Sequence, residues 1–129
     1  MISPIVCLVS RYALRDAESN TISVINILEG IQAEGFPVFF GPAAFVVIWS
    51  RDASDPPEFQ GEFTLDLDGD RIHASTIAIS FGTGTRNRTV INIQGVILQK
   101  PGSMVFEAHI DGEMKARYEV LVQSTEAAK

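Results

Sequence analysis

Apolar residues along this chain fall in short runs separated by turn-forming residues, and no stretch of length repeats at the three-and-four spacing of an amphipathic helix. The most apolar run is Ala43 to Ser50, AAFVVIWS. It carries no charge and is rich in β-branched and aromatic types, which predicts a strand buried on both faces that takes Trp49, the one tryptophan, into the core. Residues 5 to 12, IVCLVSRY, start apolar on both faces and end polar, as a strand leaving the core at its rim would. Ala13 to Asn20 reads as a helical turn or a charged loop. Thr21 to Ile31, TISVINILEGI, holds five Ile or Val residues and predicts a strand, with Gly30 marking a bulge near its end. Gln32 to Pro42, QAEGFPVFFGP, predicts a connection, because its glycines and prolines break regular structure while Phe36, Phe39 and Phe40 keep it apolar.

Beyond the central run, Arg51 to Pro57 is a polar turn segment, and Phe59 to Asp68 then alternates. Phe63, Leu65 and Leu67 share one face and Glu62, Thr64, Asp66 and Asp68 the other, which predicts a half-exposed antiparallel strand. Asp68-Gly69 signals a tight hairpin, so Arg71 to Phe81 folds back; a bulge near Ser75 reconciles its two competing apolar faces. After the loop Gly82 to Thr85, Thr89 to Leu98 predicts a strand with a bend at Gly95. Met104 to Ile110 and Met114 to Val122 form a second hairpin around Asp111-Gly112. About eight strands with regular turn signals predict an all-β antiparallel β-sandwich of immunoglobulin-like or jelly-roll-like topology. One domain is expected over residues 1–123, with a frayed tail over 124–129.

Charge and cysteine content narrow the function classes. The formal net charge of −6 repels polyanions, and no basic patch is dense enough to offset it, so neither nucleic acid nor an anionic membrane is expected as a partner. Cys7 is the only cysteine and sits in an apolar run, which predicts a packed thiol and excludes an intrachain disulfide. The first residues, MISPIVCLVSRYA, lack a basic region and a long apolar one, so a cytoplasmic setting is expected.

An apolar first strand, SVINILEGI in the second, the Phe36-Pro37 connection, AFVVIWSR and the Asp-Gly hairpin together resemble a family of small uncharacterised bacterial proteins, over roughly residues 5 to 75. That resemblance implies a sandwich in a bacterial cytoplasm. It transfers no catalytic residue.

No nucleophile, base and orienting group stand at a recognisable spacing, so no catalytic residue is assigned and the protein is expected not to be an enzyme. Asp66, Asp68 and Asp70 form the densest acidic cluster, yet the twelfth position of a calcium loop falls on Ile77, so a solvated face is the reading and no metal or other cofactor is expected. His73 and His109 lie beside the two hairpins, where histidines are commonly semi-exposed. Arg86 and Arg88, following the glycine-rich loop, form a candidate anion site through their guanidinium forks. Phe36, Val38, Phe39 and Phe40 have two possible fates: they plug one end of the sandwich, or they form an interface. The leading expectation is a non-enzymatic sandwich acting through association, as a homo-oligomer or with a protein partner. The alternative is a module binding a small ligand or carbohydrate, with Trp49, Tyr12 and Tyr118 as the available ring platforms.

Overall fold

The structure, a computed structural model, describes residues 1–125. Those residues form eleven strands and no helix: β1 (Ser3–Arg15), β2 (Ile22–Ile27), β3 (Gly30–Ala33), β4 (Val38–Phe40), β5 (Ala43–Ser50), β6 (Glu58–Leu67), β7 (Asp70–Ser80), β8 (Arg86–Ile93), β9 (Val96–Leu98), β10 (Gly102–Ile110) and β11 (Glu113–Ser124). A four-stranded sheet in the order β2-β1-β5-β8 faces a five-stranded sheet in the order β3-β11-β10-β6-β7, and β4 and β9 form a separate two-stranded ribbon. The fold is therefore all-β, and its sheets are antiparallel apart from one edge, where β3 runs parallel to β11. This edge departs from the wholly antiparallel sandwich that the alternation predicts. The cause is the crossover at Leu28 and Glu29, which carries the chain from one sheet to the other without reversing it against β11.

The uncharged run Ala43–Ser50 is the interior strand β5, flanked by β1 and β8. Its inward residues Phe45, Val47 and Trp49 are fully buried in the core. Phe45 lies with its ring centroid 5.3 Å from that of Phe63 and 5.9 Å from that of Phe106, so one aromatic group joins both sheets. The Trp49 indole N–H donates to the Thr89 hydroxyl at 2.8 Å, which gives its one polar atom a partner inside the core.

Eleven strands rather than eight result from two predicted strands that divide and one strand that forms inside a predicted connection. The predicted strand Thr21 to Ile31 divides at Leu28 and Glu29 into β2 and β3, whose residues belong to different sheets. The predicted connection Gln32 to Pro42 contains β4, and the predicted strand Thr89 to Leu98 divides at Gln94 and Gly95 into β8 and β9. β4 and β9 continue the β5–β8 ladder past a sharp bend, since Ala43 pairs with Ile93 on one side of it and Phe40 with Val96 on the other. A side chain at Gly41 would meet the Gln94 carbonyl oxygen at 2.5 Å and Gly95 Cα at 2.7 Å, so the backbones cross where only glycine fits. Beyond the bend Phe40 and Leu98 enter the core, and the ribbon closes one end of the sandwich.

The bulge in β7 falls at Ile72 rather than near Ser75: Leu65 pairs with His73 and Asp66 with Arg71, leaving Ile72 as the extra residue. It turns Ile77 and Ile79 inward. β11 runs to Ser124 and the Thr125 N–H donates to the Ala33 carbonyl at 2.9 Å, beyond the expected domain end at residue 123. Residues 126–129 of the expected tail lie outside the described residues.

Candidate functional site

The β1–β2 hairpin shapes two of the candidate surfaces. Its ladder pairs Ser10 with Ile27 and then Tyr12 with Ile25, passing over Arg11 and Asn26, and Asn26 takes a positive φ of 59°. Asparagine tolerates that conformation better than most residues, and the two strands bend there together. The hairpin tip is consequently folded back across the four-stranded sheet, where the Asn20 carbonyl accepts a hydrogen bond from the Arg88 guanidinium on the far edge strand. This layer accounts for a burial that two sheets alone leave unexplained. Ser10, Ala44 and Val46 point away from the five-stranded sheet, yet they are 0%, 0% and 1% exposed.

Covering the sheet with one face leaves the hairpin's other face in solvent. That face carries Tyr12, Leu14, Ile25 and Ile27, which are 49%, 54%, 40% and 51% exposed. Tyr12 stands directly opposite Ile25, with Leu14, opposite Ser23, diagonal to Ile25, while Ile27, opposite Ser10, lies on the other side of the bend. Tyr12, Leu14 and Ile25 thus adjoin on one ladder, Ile27 is exposed across the bend from them, and no charge stands among the four.

The Phe-rich segment divides between the two fates its sequence allows. Phe40 is buried, and Phe36 and Val38 pack against the core, so these three plug the end of the sandwich and are withdrawn from the interface expected of them. Phe39 alone points outward. It is 63% exposed, its ring lies over Gly95, and its cross-strand partner Ile97 is 52% exposed. Ribbon geometry explains the split, since alternate residues of β4 must face opposite sides.

Arg86 and Arg88 lie on β8 rather than in a loop, on the face of the sheet turned toward the hairpin tip, opposite Ser50 and Ile48 of β5. With Ile5, Asn20, Thr21, Ile22 and Ile48 they line a groove of about 680 Å³. One Arg86 N–H donates to the Ser50 hydroxyl at 2.9 Å. Arg15, at the end of β1, donates to the Asn20 side-chain oxygen at 3.2 Å, which brings a third guanidinium beside a residue that lines the groove.

A second hollow, of about 170 Å³, opens between the sheets where the β7 and β8 edges meet. It is lined by His73, Asn92 and Gln94 among apolar residues that include Leu65 and Ile93. His109 is elsewhere, with Nε2 3.0 Å from Glu107 Oε1 on the outer face of the five-stranded sheet. The acidic cluster is dispersed by its partners: Asp66 pairs with Arg71, Asp70 with Lys100 at 2.9 Å, and Asp68 accepts the Ser103 N–H at 3.3 Å. Among the described residues no group of three or more His, Cys, Asp or Glu side chains is placed to hold a metal ion.

Three further residues clarify what the remaining surface can do. Cys7 is half-buried, and that burial pushes its thiol up to about 11, far from the range of a reactive thiolate. Of the three ring platforms, Trp49 is buried and Tyr118 is half-buried with its hydroxyl donating to the Leu28 carbonyl at 2.7 Å, which leaves Tyr12. Arg51, which the sequence presents as part of a polar turn, is 8% exposed and serves the fold. Its guanidinium donates to the carbonyls of Gly84 at 2.9 Å, Asp55 at 2.7 Å and Gly82 at 3.3 Å, and lies over the Phe81 ring.

Among the described residues no helix is long and apolar enough to cross a membrane. A family model described as a family of unknown function, DUF6941, matches residues 6–123. No curated protein matches the chain.

Proposed function

The chain belongs to DUF6941, a family of unknown function, and from that premise we propose that it is a non-enzymatic β-sandwich working through protein association, with a second copy of itself as the first partner. The observation that carries this reading is the outward face of the β1–β2 hairpin, where Tyr12, Leu14 and Ile25 adjoin in solvent and Ile27 is exposed across the bend. Contiguous exposed apolar patches are uncommon on monomers and mark contacts. Each such side chain gains roughly 1.5 to 3 kcal/mol when fully removed from water. A copy of the same chain suits this face for an electrostatic reason. The protein carries a net charge of −6, so two copies repel, but these four residues are uncharged and meet their own images about a two-fold axis without placing like charges in contact.

The exposed pair Phe39 and Ile97 offers a second, smaller contact on the end ribbon, and substitutions tell the two apart. Ile25→Asp is expected to shift the light-scattering mass from twice 14.1 kDa to 14.1 kDa while preserving β-sheet circular dichroism. Phe39→Asp is expected to leave the mass unchanged. A dimer dissolved by Phe39→Asp and insensitive to Ile25→Asp would move the interface to the ribbon. A bacterial, cytoplasmic setting belongs to the same proposal.

A further inference from the structure

We infer that the groove beneath the hairpin tip binds a singly charged amphipathic anion, a carboxylate carried on an apolar body. The first observation is an imbalance of charge. With sixteen Asp and Glu against ten Lys and Arg, a cation in this chain has carboxylates to choose from. Arg71, Lys100 and Lys115 each pair with one, and Arg117 pairs with two. Arg11 and Arg51 bond backbone carbonyls and lie over Phe40 and Phe81. Arg15, Arg86 and Arg88 make no ion pair among the described residues; Arg86 and Arg88 line the groove, and Arg15 bonds Asn20 at its rim.

The second observation is how they are held. Their acceptors within the protein are neutral: the Asn20 side-chain oxygen for Arg15, the Ser50 hydroxyl and Thr85 carbonyl for Arg86, and the Asn20 carbonyl for Arg88. A guanidinium has five N–H donors, so these contacts orient the forks and leave donors over for an oxyanion. The third is the floor. Ile5, Ile22 and Ile48 line the same groove, whose volume of about 680 Å³ falls within the roughly 300 to 1,000 Å³ of small-ligand pockets. Cationic forks beside an apolar floor match a ligand with an anionic head and an apolar body. The net charge of −6 favours one negative charge over two, because the field of the whole protein opposes an approaching anion in proportion to its charge.

Sodium octanoate is the probe, read by amide chemical shifts in the full chain. Saturable shifts are expected at Thr21, Ile22, Ile48 and Arg86 to Arg88, with octanol and inorganic phosphate each at least tenfold weaker. Arg86→Gln and Arg88→Gln are each expected to weaken octanoate about tenfold, and Arg88→Lys less. Arg88 also tethers the tip, so Arg86→Gln, whose exposed side chain bonds no hairpin residue, decides the matter if the tip loosens. Equal binding of octanol, undiminished binding by Arg86→Gln, or shifts confined to other residues would overturn the inference. The outcome is independent of the dimer, whose face is the opposite side of the hairpin.

Discussion

Arg51 shows how much of this fold rests on one side chain that its local sequence does not advertise. It stands in the polar segment RDASDPP, yet its guanidinium ties the β5–β6 loop to the β7–β8 loop through backbone carbonyls of both. Charge-assisted bonds of this kind are worth about 1.5 to 3 kcal/mol each and are not additive, so Arg51→Met should cost roughly 2 to 4 kcal/mol in urea unfolding. A loss under about 1 kcal/mol would mean that the loops hold without it. Trp49 is the reverse case, since both its burial and its strand were readable from AAFVVIWS. Its replacement by alanine should cost about 3 to 5 kcal/mol, and native emission should be blue-shifted relative to the unfolded chain. Thr64 Oγ1 is buried without a hydrogen-bond partner among the described residues, so Thr64→Val should be neutral or stabilising by up to about 1 kcal/mol.

Strand identity was legible at the scale of elements wherever one face alternated, as along β6, or wherever charge vanished altogether, as along β5. The bends were not. Asn26 looks like an ordinary polar residue inside a strand, and its positive φ becomes informative only once β1 is seen to skip Arg11 opposite it. The exposed residues Ile25 and Ile27 followed from the same blind spot, because hydropathy gives a core-facing and an outward-facing isoleucine the same value. Phe36, Val38 and Phe40 were correctly read as apolar, but the alternation that sends Phe39 outward applies only if the segment is a strand, and its glycines and prolines argued for a connection. Arg86 and Arg88 were found by their place after the glycine-rich loop. Asn20, with Arg15 bonded to its side chain, joined them only through the folded-back tip. The corner at Gly41 gives this account a direct check: with φ at +147° and the Gln94 carbonyl in the way, Gly41→Ala should lower stability by roughly 2 to 3 kcal/mol in a thermal melt. A wild-type melt would show that the ribbon is not held at that crossing.

Groups whose pKa is shifted in the fold bear on stability at both ends of the pH range. The Asp16 carboxyl is lowered first by the Ser19 N–H, Asp55 by the Met1 amino group and Glu119 by the Ser103 hydroxyl. Depressed carboxyls stabilise the fold when ionised, so their contribution is complete above the unfolded value of about 4 and is lost as pH falls through each lowered pKa. The Cys7 thiol, raised to about 11 by burial, acts on the other side: its contribution is present below the unfolded value of 9.0 and is lost as pH climbs toward 11. Thermal stability should therefore be level from about pH 5 to 8 and decline beyond both ends, and Cys7→Ala should flatten the alkaline decline. An alkaline limb unchanged by Cys7→Ala would assign it to other groups. The exposed hairpin face bears most on what the molecule does, and sedimentation equilibrium of the wild-type protein across a hundredfold range of concentration tests it most directly. A mass that rises toward twice 14.1 kDa as concentration increases is expected, and a mass that stays at 14.1 kDa throughout would contradict association through this face.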